Sequence, residues 1–215
     1  MLYTTSMRQF PKTLRVEFNL FTTLNTPAKI QDFLNTLPFN FEPHGSTCRS
    51  AREVLKHKTA HCLEGALFAA AALWYHNKQP LLLDLETPDN DTDHVVALFK
   101  ENGHCGAVSK TNHAVLRYRD PIYKTVRELV MSYFNEYFID SGVKTLRKYS
   151  EPFDMLQFED DWLTSNRDMW NIEDEIIRSP HETILTPQML KGLRRADPIE
   201  IRTGKITEYT KPKRK

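Results

Sequence analysis

The residues of this chain best suited to chemistry are a cysteine at a helix start, a histidine at a strand start, and a polar side chain able to orient that histidine. Cys62 lies in Thr59-Ala60-His61-Cys62-Leu63-Glu64-Gly65-Ala66-Leu67-Phe68, a run that continues through alanines to Trp74. Leu63, Ala66, Leu67, Ala70, Leu73 and Trp74 keep helical spacing, and Ala69, Ala71 and Ala72 leave the opposite face small and apolar. The spacing therefore predicts a central, buried helix with Cys62 in its first turn. Thr59 or His61 can serve as N-cap, and Glu64 sits near the same end. Backbone N–H groups there lack intrahelical partners, so they favour a thiolate and can receive an oxyanion. A cysteine in such a helix is core material unless a base stands beside it. His94, which opens His94-Val95-Val96-Ala97-Leu98-Phe99, is the candidate base.

Positioning these two residues requires a set of elements that the pattern supplies. Thr13 to Phe21 alternates loosely and reads as an edge strand. Thr26-Pro27 opens a helix ended by Pro38, and a second helix is expected over Thr47 to Lys56, with Ser50 and Glu53 resembling a capping box. Leu81 to Leu85 has strand length, Thr87 to Thr92 is a polar loop, and Asn102-Gly103 is a tight-turn dipeptide joining the His94 strand to His104–Ser109. Pairing about that turn sets Leu98 opposite Ala107 and Val96 opposite Ser109, so Ser109 and Thr111 share a face with His94. Tyr118 to Tyr123 reads as a loop around Asp120-Pro121, followed by an amphipathic helix from Val126 to Phe138 that Gly142 stops. Lys144 to Tyr149 is a last strand. The division expected is a core domain over 1–150 and a polar, proline-interrupted appendage over 151–215, packed on that core and ending in the basic run Lys211 to Lys215. Short helical pieces are expected within it around Trp162 to Ile177 and Pro187 to Arg195.

Composition narrows the class. With 215 residues of which 40% are hydrophobic, the chain can bury a substantial core. Its 29 basic and 28 acidic residues nearly cancel, so no whole-chain field points to nucleic acid or a membrane surface. The amino terminus carries no apolar run of signal or membrane type. Three cysteines, Cys48, Cys62 and Cys105, make no even disulfide framework, which fits a reducing, cytoplasmic location.

The order of Cys helix, apolar strand, polar loop and His strand resembles the transglutaminase-like superfamily, whose core is papain-like. The matching residues are Ala51-Arg52-Glu53-Val54-Leu55, then Ala60 to Leu67, then Asp93-His94-Val95-Val96-Ala97-Leu98, within roughly Thr47 to Ser109. The resemblance implies an α+β fold in which the Cys helix packs on an antiparallel sheet, with Cys62 as nucleophile and His94 as general base. It also implies a carboxylate on the following strand, and here the chain departs, because that position holds Ser109. Asn112, whose amide could orient an imidazole, and Asp84 on the preceding strand are the alternatives.

The function expected is cysteine-dependent acyl transfer, an amide or peptide hydrolase rather than a protein cross-linker, acting on a peptide or protein amide without a cofactor. The alternative is a binding or scaffolding module that keeps the core without turnover and engages a protein partner. A zinc site from His44, Cys48, His57, His61 and Cys62 competes on ligand chemistry but fits no strong template of spacing. Of the three thiols, Cys62 is expected to react first. Peptide mass spectrometry after substoichiometric alkylation checks this, and label appearing first on Cys48 or Cys105 would contradict it.

Overall fold

The computed structural model describes residues 8–210, so the basic run Lys211 to Lys215 lies outside the described residues. The fold is mixed α+β. Among the described residues there are eight helices, α1 (Pro27–Thr36), α2 (Ala51–His57), α3 (Cys62–Tyr75), α4 (Val126–Phe134), α5 (Asp161–Thr164), α6 (Trp170–Arg178), α7 (Pro187–Lys191) and α8 (Pro198–Gly204). The strands are β1 (Leu81–Glu86), β2 (His94–Glu101), β3 (His104–Val108), β4 (Arg119–Tyr123), β5 (Lys148–Ser150), β6 (Phe153–Asp154) and β7 (His181–Thr183). They form one open antiparallel sheet in the order β4-β3-β2-β1-β5-β7, with β6 pairing beside β5 along the same side of β1.

The sheet divides two apolar layers because its strands alternate. Leu82, Val95, Ala97 and Phe99 face the layer built on α3, whereas Leu83, Leu85, Val96 and Leu98 face the layer built on α4. Every α3 residue from Leu63 to Tyr75 is buried, as an apolar face all round the helix requires. The hairpin of β2 and β3 turns at Asn102 and Gly103, both at positive φ (49° and 78°), and pairs Leu98 with Ala107 as expected. At the start of α2, Ser50 is the N-cap and accepts from the Glu53 N–H.

Several elements differ from the sequence expectation. Thr13 to Phe21 is not a strand but two short 3-10 turns, Lys12–Leu14 and Asn19–Thr22. Its alternation was misleading because Val16 points to solvent, while Phe18 and Phe21, three residues apart, stack at 5.0 Å inside a cluster with Phe10, Phe68 and Tyr75. Arg119–Tyr123 is a strand despite Pro121, which is tolerated because β4 is the edge of the sheet and one side of its backbone needs no donor. Helix α4 stops at Phe134, and Gly142 (φ 79°) instead serves a later turn in which its N–H bonds Ile139 O. The strand expected over Lys144 to Tyr149 is reduced to β5.

The segment after residue 150 packs on the core and also extends it. It supplies β6 and β7 to the sheet, and Trp162 stacks on Trp74 of α3 at 5.9 Å, both fully buried. No helix among the described residues is long and apolar enough to cross a membrane. Removing the Trp162 ring leaves a cavity against α3, so Trp162→Ala is expected to cost about 3–5 kcal/mol in one cooperative unfolding transition. Urea denaturation followed by far-UV and near-UV dichroism tests this. A small cost, or a separate transition for the segment, would show that it is not part of the same core.

Candidate active site

The site assembles where the first turn of α3 meets the start of β2 and the end of β3. A fully buried carboxylate fixes the helix start. Glu64 accepts from the Asn40 amide (3.0 Å), the Thr47 hydroxyl (2.8 Å) and the His61 N–H (3.1 Å), with the Arg49 N–H at 3.3 Å. These donors come from the loop before α2 and from the helix cap itself, so the loop is tied against the turn that bears Cys62. Gly65 allows the other close approach, because a Cβ there would lie 2.4 Å from Lys110 Cβ. The chain just past Ser109 can therefore press on the Cys62 turn.

His94, the first residue of β2, stands beside the sulfur. Its Nε2 lies 2.8 Å from Ser109 Oγ, and Ser109 Oγ lies 2.6 Å from Leu116 O. A carbonyl only accepts, so the serine hydroxyl donates to Leu116, accepts from the imidazole Nε2–H, and leaves Nδ1 as the ring nitrogen not engaged by Ser109. Ser109 is held in turn by a reciprocal amide pair with Gln31 of α1: Ser109 N donates to Oε1 at 2.9 Å, and Gln31 Nε2 donates to Ser109 O at 2.8 Å. Leu116 adopts a left-handed conformation (φ 59°) that a branched side chain disfavours, and its N–H donates to Glu136 at 2.8 Å.

A second imidazole adjoins the sulfur. His61 Nε2 donates to Thr47 O at 2.7 Å, and its ring also lies 3.6 Å from Glu64. Burial works against a charge on this ring, but the Cys62 sulfur, Glu64 and Thr47 O outweigh it and raise its pKa to about 9. For Cys62 itself burial pushes the thiol up, yet hydrogen bonds and charge from His61 and His94 prevail and hold it well below its ordinary range. Burial pushes the other two thiols, Cys48 and Cys105, upward. The arrangement therefore favours a thiolate at a helix N-terminus, with an imidazole on each side.

Of the residues singled out from the sequence, Cys62, His94 and Ser109 are brought together. Asn112 is not: its amide makes two 2.9 Å bonds to the backbone of Tyr209 and clasps the C-terminal segment. Asp84 does not orient His94 either, since its carboxylate contacts His181 at 3.2 Å. Of the residues in the zinc reading, His57 pairs with Glu53 and Cys48 with Met169 O, and among the described residues no cluster of three or more His, Cys, Asp or Glu could hold a metal ion. His61 had a signal in the sequence, a histidine at the N-cap next to the thiol. Gln31 had a fainter one, a polar residue on the buried stripe of α1. Leu116 had none. No protein-family model matches the chain, and no curated protein matches it at a significant level.

The pH midpoint of Cys62 alkylation with iodoacetamide is expected to lie below the ordinary thiol range. Changing His61 to Gln or His94 to Ala should move the midpoint upward by about one unit or more. The folded pKa of His61 lies above its unfolded value, so its contribution to stability is complete below about pH 6.5 and is lost as pH rises through about 9. The stability gap between the natural protein and His61→Gln, followed by urea denaturation across that window, should shrink accordingly. A Cys62 midpoint near 8.5 in the natural protein would contradict the paired arrangement.

Proposed function

We propose that the chain is a transglutaminase-like, papain-like cysteine enzyme that transfers acyl groups, hydrolysing an amide or peptide bond of a peptide or protein substrate. The observation that carries this reading is the directed chain from Cys62 through His94 and Ser109 to Leu116 O, which leaves Nδ1 of His94 for the thiol. In the proposed reaction Cys62 Sγ bonds to the carbonyl carbon, and the oxyanion faces the N–H groups of the first turn of α3. His94 then protonates the leaving amine as the C–N bond breaks, giving a thioester. Water, deprotonated by His94, cleaves that thioester and restores the thiol. A cavity of about 760 Å³ runs from Cys62 and His94 past Phe39, Phe41, Tyr137 and Phe138, and this is room for an extended chain. Three unpaired thiols accord with the reducing, cytoplasmic location we assign.

A neutral serine in the third position favours a second reading, a catalytically inactive binding or scaffolding module that keeps the core without turnover. Serine orients the imidazole but supplies no charge to balance an imidazolium. An activated ester separates the two. With p-nitrophenyl acetate the protein is expected to release one equivalent of nitrophenol in a burst and then turn over, and Cys62→Ala and His94→Ala should abolish the burst. Ser109→Ala should slow acylation about tenfold, the loss of roughly one hydrogen bond to a charged group. Ser109→Asp is expected to be no better, because a carboxylate would face Leu116 O without a proton to donate. A burst without turnover, or no burst at all, supports the module, and no burst at Cys62 overturns the enzyme reading.

A further inference from the structure

The Cys62 sulfur stands between two cavities, and the second differs in character from the first. It holds about 420 Å³ on the β1 side and is lined by six carboxylates, Glu42, Asp84, Asp89, Asp91, Asp93 and Glu173. Its lining contains no lysine or arginine, and His61 is the one basic side chain there. Several of these carboxylates already have work within the fold: Asp93 accepts from Thr87, Asp91 from Thr145 and Thr92, and Glu42 from the Thr47 N–H. Those partners are neutral, and the basic neighbours of the set are His61, 3.8 Å from Glu42, and His181 on Asp84, fewer than the carboxylates.

Asp84 is a separate observation. It is 3% exposed, lines this cavity, and uses one oxygen on His181, while its other oxygen, Oδ1, has no partner. A buried carboxylate oxygen left open is costly unless something supplies a donor. At the mouth, Trp170 and Ile177 of α6 remain 40% and 61% exposed, and Leu63 and Val95 continue the apolar wall inward. An aromatic face and an aliphatic wall leading to carboxylates suit a methylene stem that ends in a positive charge.

We infer that this cavity is a recognition subsite for a cationic substrate side chain on an aliphatic stem, with Asp84 and Glu173 receiving the charged head; the inference rests on the acyl-transfer reading of Cys62. An anionic group would meet six carboxylates there, so the same surface rejects acidic substrates. The charge also lies beside the nucleophile, where it raises the local concentration of cations.

Methanethiosulfonate reagents of opposite charge test the idea on the intact protein. The Cys62 thiolate attacks the reagent's sulfenyl sulfur, a disulfide forms, and methanesulfinate departs, so one thiol is consumed for each leaving group. The aminoethyl reagent is expected to modify Cys62 about tenfold or more faster than the sulfonatoethyl reagent, each rate normalised to that with free mercaptoethanol. Asp84→Asn and Glu173→Gln should each lower that ratio, and the half-buried position of Glu173 makes its variant informative even if the Asp84 variant folds poorly. In a second arm, n-butylammonium or n-butylguanidinium should protect Cys62 from iodoacetamide where n-butanol does not, the better protector naming the head group. A normalised ratio near one, or equal protection by n-butanol, overturns the subsite while Cys62 still reacts. Failure of every reagent to modify Cys62 defeats the acyl-transfer reading instead.

Discussion

The site depends first on a buried carboxylate that has to be satisfied. Glu64 has no exposed surface, and a charge in that position is tolerated only when donors surround it. The donors are Asn40, Thr47, the Arg49 N–H and the His61 N–H, residues spread over more than twenty positions of sequence. Satisfying the carboxylate therefore orders the loop before α2 and the cap of α3 together. Thr47, held by Glu64, presents the carbonyl that receives His61, and the His61 ring then lies against the Cys62 sulfur. Losing one of these donors would leave a buried charge short of a partner and loosen the turn that carries Cys62.

On the far side of the sulfur the constraint is directional rather than electrostatic. Leu116 O points at Ser109, which sets the direction of the hydroxyl, and the hydroxyl in turn sets the tautomer of His94. The carbonyl is aimed by a left-handed backbone at Leu116, a conformation that costs on the order of 1 kcal/mol for a non-glycine residue. Glu136 offsets that cost by accepting from Leu116 N, and Arg119 holds Glu136 at 2.7 Å. Lys110, next to Ser109, is almost fully buried and donates to Leu34 O and Leu37 O at the end of α1. Burial lowers its pKa to about 8. An ammonium group thus closes the carbonyl end of the helix that supplies Gln31, and the two contacts fix Ser109 from both directions.

Secondary-structure elements with strong local causes were legible in the sequence. The α3 helix followed from its unbroken small and apolar composition, the β2–β3 hairpin from Asn102-Gly103, and the Ser50 cap from a side chain that accepts from the backbone three residues on. Placing Ser109 on the face of His94 needed only the two-residue period of a strand counted from that turn. Where local cause was weak, the expectation failed. The loose alternation of Thr13 to Phe21 gave way to an aromatic cluster gathered from distant segments, and Pro121 concealed an edge strand.

What the sequence by itself determined, then, is a cysteine at a helix start, a histidine at a strand start and a serine where a carboxylate was expected. Only the tertiary structure decided which polar residues meet them. Asn112 has better side-chain chemistry for orienting an imidazole, yet it faces Tyr209, ninety-seven positions away along the chain. Asp84 turns to His181, also ninety-seven positions distant, and opens a second cavity beside the sulfur. Hydrogen bonds between remote segments depend on how the layers stack and how each loop is anchored, and neither periodicity nor composition encodes that stacking.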